Sequence, residues 1–164
     1  MALELNGTTG VSLVQDGVIT DADLRAGGVL QDEPATYATS TTLTTTTYTD
    51  TGLSASITPS STSSKILVLE NLSDVGKFSA NISIKWKLLR DSTTILESSS
   101  DRMLFTADTS ELFSGTLTHA IIDSPSTTTL ITYKSQFANS TGSAFFRIHT
   151  WDTPSVLILM EIAG

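Results

Sequence analysis

Two histidines, His119 and His149, and no cysteine are all this chain offers to the commonest nucleophile and metal chemistries. Without cysteine there is no thiolate, no disulfide framework and no Cys-based zinc site. The histidines lack HExxH spacing, so a zinc ion would have to lean on carboxylates. Arg147, His149 and Trp151 alternate along one run, which in a strand sets a guanidinium, an imidazole and an indole on one face. Such a trio could contact a ligand, or be an ordinary surface or interface strand face. Asp21 and Asp23 have the spacing of a calcium-loop start, but the glycine and distal glutamate of that loop are missing. They fit better as acids at a helix N-terminus. Glu70, Glu97, Glu111 and Asp123 could supply the facing carboxylates of a glycosidase, yet nothing singles out a pair. Serines abound without a GxSxG elbow, and Gly7 and Gly10 belong to a turn rather than to a phosphate-binding loop. The expectation is a chain that is not an enzyme, with no catalytic residue, metal site or cofactor.

The elements that must position these groups are strands. From Asp50 to Leu69, Leu53, Ala55 and Ile57 alternate with Ser54, Ser56 and Thr58, Pro59 stops the run, and a denser strand starts at Lys65. Ile82, Ile84, Trp86 and Leu88 give the cleanest half-buried pattern, followed by a turn at Arg90–Asp91–Ser92 and a return strand over 93–97. Thr36 to Tyr48 has high β propensity and little hydrophobicity, as an edge or outer strand would. Residues 98–112 read as a long crossing loop with a short strand over 103–106. Further strands are expected over 113–122, 127–137, 143–151 and 155–162.

Some eight or nine short strands with no long helix point to an all-β fold, an antiparallel two-sheet sandwich, jelly-roll-like, with an extended N-terminal arm. The expected core is Ile57, Ile66, Val68, Ile82, Ile84, Trp86, Leu117, Ile121, Ile131, Tyr133, Phe146, Ile148, Val156, Ile158 and Met160. The last strand, from Ser155 to Ile162, is apolar on both faces, which calls for a central position or a neighbouring subunit. Residues 1–33 form the arm: six acids stand against the single Arg25, and one helical turn near Thr20 is too short to stand alone. Residues 34–164 form the sandwich domain.

Composition narrows the partners. A net charge of −8 with scattered basic residues excludes the electrostatic footprint of a nucleic-acid binder. No apolar run reaches the ~20 residues of a membrane helix. The start lacks the basic region and apolar stretch of a secretory signal. The solvent face is hydroxyl-rich rather than ionic, and Thr suits it by joining a β-branched stem to a hydroxyl.

Three segments carry a family resemblance: LELNGTTGVSLVQDGVITDADL, DTGLSASITPSSTSSKILV, and HAIIDSPSTTTLITYKSQF with the terminal VLILMEIAG. In this order they resemble virion surface proteins of tailed bacteriophages, of the marine and cyanophage fibre or capsid-decoration type. The resemblance implies a virion structural protein, a homotrimer made in the host cytoplasm and carried on the virion surface. Two roles are open to such a protein: a capsid-decoration (cement) knob held to the major capsid protein through residues 1–33, which the short chain and the absence of a long fibrous shaft favour, or a short tail fibre or receptor-binding knob joined to a tail component and recognising a host-surface glycan. Tyr37, Tyr48 and Trp151 would suit stacking on a sugar. A carbohydrate-binding module is the alternative from another class.

Overall fold

The computed structural model describes residues 27–78, 82–98, 113–142 and 146–164. The strands are β1 (Val29–Tyr37), β2 (Thr41–Leu43), β3 (Thr49–Ile57), β4 (Lys65–Lys77), β5 (Ile84–Arg90), β6 (Thr93–Glu97), β7 (Phe113–Asp123), β8 (Ile131–Asn139), β9 (Phe146–Ile148) and β10 (Ser155–Ile162). All pairings are antiparallel. β1 and β2 are two stretches of one edge, and β9 and β10 are two stretches of its neighbour, interrupted by a turn at Thr150–Asp152.

With those stretches joined, sheet A runs β1/β2, β9/β10, β4, β7, and sheet B runs β3, β8, β5, β6. Every pair nests inside the previous one: the first strand pairs the last, β3 pairs β8, β4 pairs β7, and β5 pairs β6. One long antiparallel ribbon folded over on itself produces this order, and it is the jelly roll. β6 belongs to sheet B and β7 to sheet A, so the chain changes sheets between them; residues 99–112 lie outside the described residues.

The core lies between the sheets. Ile66, Val68 and Leu72 of β4 and Leu157 and Leu159 of β10 meet Leu53 and Ile57 of β3, Ile131 and Tyr133 of β8, and Ile84, Trp86 and Leu88 of β5. Ten of the expected core residues are buried there: Ile57, Ile66, Val68, Ile82, Ile84, Trp86, Ile131, Tyr133, Phe146 and Ile148. Leu117 and Ile121 pack against the core while remaining partly exposed. Val156, Ile158 and Met160 are a correction. They are half-buried on the outer face of sheet A, and Leu157, Leu159 and Glu161 point inward instead.

Two further expectations are revised. The run Thr36 to Tyr48 is split between the end of β1, β2 and a turn, because its apolar content supports no continuous buried face. Residues 29–33, placed by sequence in the arm, form the first half of β1 and pair with β10. The rest of the arm through residue 26, the short strand expected over 103–106, and Glu111 lie outside the described residues.

Local chemistry explains two irregular places. β3 bulges between Asp50 and Ser54, where Gly52 adopts φ +94 and a Cβ would stand 2.3 Å from the Tyr37 ring. Only glycine meets both conditions. β4 bulges between Leu72 and Val75 with Asp74 at φ 46, which bends the strand toward the turn at Thr150.

Candidate functional site

The Arg147–His149–Trp151 trio is not assembled. β9 ends at Ile148 and His149 turns to φ 55, so strand alternation stops before His149. Arg147 donates from Nε to Thr42 Oγ1 at 3.2 Å and lies over the Phe78 ring at 5.1 Å. His149 is buried, donates from Nδ1 to the Thr39 carbonyl at 3.2 Å, and meets the Tyr37 ring edge-on with centroids 5.2 Å apart. Burial holds its pKa below the ordinary imidazole value, against the opposing pull of the Thr39 hydrogen bond and the Glu70 charge.

Trp151 alone is thrown outward and is 70% exposed. It sits at φ 55 between His149 and Asp152 (φ 57), three left-handed non-glycine residues within one turn. Each such residue costs about 1–3 kcal/mol and persists only where its surroundings enforce it. Here they do: Thr150 Oγ1 donates to the Asp74 carbonyl at 3.0 Å, Thr153 Oγ1 donates to Asp74 Oδ2, and the Ser40 amide donates to Asp152 Oδ1 at 3.3 Å. The bulge of β4 is thus the mount that presents the indole. Of the other aromatics suited to sugar stacking, Tyr37 covers Gly52, and Tyr48 donates to Glu97 Oε1 at 2.8 Å beneath the Lys87 ammonium.

The candidate carboxylates go to separate tasks. Asp123 accepts from Arg90 Nη1 at 2.6 Å and from the Tyr133 hydroxyl at 2.7 Å, tying β5, β7 and β8 together. Burial, then the hydrogen bond to Asp123, pushes the Tyr133 phenol up. Glu70 is fully buried, directly across the β4–β7 ladder from His119, whose Nδ1 is 3.4 Å from Glu70 Oε2. The His119 ring lies flat on the Trp86 indole, with centroids 3.7 Å apart and planes 6° from parallel. This Glu–His–Trp stack went unpredicted. Its sequence signal is parity: Glu70 falls on the same alternation as Ile66, Val68 and Leu72. Glu70 and Trp86 are fully buried and the His119 side chain is 18% exposed, so the stack lies largely between the sheets. Asp21, Asp23, Gly7 and Gly10 lie outside the described residues, as does Glu111.

A second buried carboxylate closes one end of the sandwich. Glu161 accepts from the Ser60 amide and hydroxyl, both at 2.7 Å, and from Gln31 Nε2. Burial acts to raise its pKa, and the hydrogen bonds from Ser60 and Gln31 help to outweigh that and hold it below the ordinary carboxylate value. Beside it Leu30, Ser60, Ser64 and Ala163 line a cavity of about 220 Å³. Among the described residues, no group of three or more His, Asp or Glu is placed to hold a metal ion, and no helix is long and apolar enough to cross a membrane.

The two outer faces of the sandwich differ in kind. On sheet B, Ser56 and Thr132 hydroxyls bond across the strands at 2.8 Å, and Asp50 accepts from Gln136 at 2.6 Å and Lys134 at 2.9 Å. Burial works to raise the Asp50 pKa; the bonds from Gln136 and Lys134 and the charges of Lys134 and Lys87 bring it below its ordinary value. On sheet A the outward positions of β4 and β10 are Leu67 and Leu69 beside Met160 and Ile158. β7 extends those rows with Ile122 and Ala120. The outer face of sheet A also carries hydroxyls, at Ser114, Thr116 and Thr118 of β7, so its apolar rows occupy only part of that face.

No family model matches the sequence, and no curated protein does. Among solved structures, the chain is similar to a chain of the T13 viral particle of infectious bursal disease virus, at 12% identity and a TM-score of 0.45, over 81% of this chain and 36% of that one. It is also similar to a chain of the Gx strain of that virus, at 14% identity and a TM-score of 0.44, over 82% of this chain and 37% of that one. The protein thus spans little more than a third of the chains it matches.

Proposed function

We propose that this protein is a non-enzymatic structural component of a virion: a trimeric capsid-decoration (cement) knob of a tailed bacteriophage, anchored to the major capsid protein through its N-terminal arm. The observation that carries this reading is the two-faced sandwich. Sheet B meets water through bonded hydroxyls and paired charges, whereas sheet A offers apolar rows that water disfavours. A component that packs into a larger assembly has use for both faces. The sequence resemblance to phage virion surface proteins supplies the kind of assembly.

A short tail fibre or receptor-binding knob is the second reading. Trp151 favours it, because an indole 70% exposed on a strained mount is suited to stacking on a host glycan. A density map of purified particles separates the two. Decoration requires copies at many lattice positions; a fibre requires density at the tail alone. Particles carrying the chain at neither place would overturn both.

A further inference from the structure

The outer face of sheet A extends across its strands in register. Ile122, Leu67 and Met160 form one row, and Ala120, Leu69 and Ile158 the next. Ile162 continues the apolar stripe along β10. Monomeric soluble proteins seldom leave such rows open. Ile122 is 62% exposed at the β7 margin. Among the described residues β7 pairs with β4 alone, and from Ser114 to Ile122 it carries no Asp, Glu, Lys or Arg. Charged gatekeepers that normally blunt a sheet edge are thus absent beside the apolar face.

Charge identifies the occupant. On the strands flanking β10, the outward charged side chains are Asp32 of β1 and Lys65 of β4, both exposed and of opposite sign. Residues 34–164 hold 11 acidic and 8 basic residues, a net charge of −3, so two copies of the sandwich repel one another only weakly. On the outer face of sheet A one acid and one base stand on either side of β10. A strongly basic or strongly acidic partner would find nothing to match there. A second copy can set its Lys65 margin against the Asp32 margin of the first.

We propose that the outer face of sheet A is the surface on which copies of this chain assemble, with β10 at its centre. The inference rests on the homo-oligomeric part of the function proposed above and names the face responsible.

The test uses the full-length chain, with mass by light scattering across a dilution series and folding by thermal melting. Ile158→Lys should shift assembly to at least about tenfold higher concentration with a cooperative melt retained. Ser54→Lys, on the outer face of sheet B, should leave the mass unchanged. Should Ile158→Lys fail to fold, the charge pair carries the test: Asp32→Lys and Lys65→Asp each weaken assembly, and the double reversal restores it. An Ile158→Lys protein that keeps the parent mass overturns the inference. So does a parent that is monomeric at its highest attainable concentration but loses particle attachment on Ile158→Lys, which assigns the face to another virion protein. Assembly lost on Ile158→Lys in a protein absent from particles supports the inference and removes the virion reading.

Discussion

Trp86 fills the largest share of the interior of any single side chain and supports the His119 ring across the sheets. Trp86→Ala should cost about 3–5 kcal/mol, read from the midpoint of urea unfolding. An unshifted midpoint would mean that the indole is not a core residue. Gly52 is demanding for a different reason. Gly52→Ala must hold a left-handed φ and push back the Tyr37 ring, so a loss of at least about 1–3 kcal/mol is expected. Tyr37→Ala in that background should recover the steric part and leave the backbone part. Glu161 gives stability a pH dependence. Its folded pKa lies below the ordinary value of 4.5, so its contribution is full above that value and is lost as pH falls through the folded one. Glu161→Gln should lower stability by about 1–3 kcal/mol at neutral pH and flatten the acid limb of the melting profile. A mutant profile parallel to the parent's would show that the carboxylate contributes no such linkage.

At the scale of elements, the two faces of β10 should respond unequally. Leu159→Ala empties a site between the sheets and should cost about 2–5 kcal/mol. Ile158→Ala, one residue earlier on the outer face, should leave the stability of a separated protomer nearly unchanged. Denaturation of both variants at dilutions that favour the protomer tests this. A larger loss for Ile158 would reverse the register of the strand. β5 posed no such ambiguity, because its lysines, Lys85 and Lys87, alternate with Ile84, Trp86 and Leu88 and mark the outward side. Arg147, His149 and Trp151 do not share the strand face expected for them, because alternation holds only while the backbone stays extended, and His149 leaves that region.

For the whole molecule, the nested pairings mean that β1 is needed to complete sheet A, and the core expected from the sequence draws on no residue ahead of Gly27. Removing residues 1–26 should therefore leave the melting temperature unchanged. Under the function proposed here it should also abolish attachment to particles that lack this component. Mixing truncated and intact chains with such particles measures both outcomes. Equal decoration would place the anchor in the sandwich. The acidic arm further predicts attachment that weakens as salt rises.

Strand-length alternation, the hard stop at Pro59 and the absence of any long helical period determined an all-β sandwich from sequence alone. Those signals are local, arising from neighbouring residues within one strand or turn. The jelly-roll nesting was anticipated from the irregular β6–β7 connection, but the partners of each strand are long-range and only the fold displays them. The inward face of β10 was likewise beyond local reasoning. With Val156, Ile158 and Met160 on one side and Leu157, Leu159 and Glu161 on the other, the charged residue argues for exposure of its own side. Tertiary structure reverses that choice by bringing Ser60 and Gln31, both far away in sequence, to Glu161 as hydrogen-bond donors. Those donors offset the cost of burying this carboxylate. Only the folded chain brings them there.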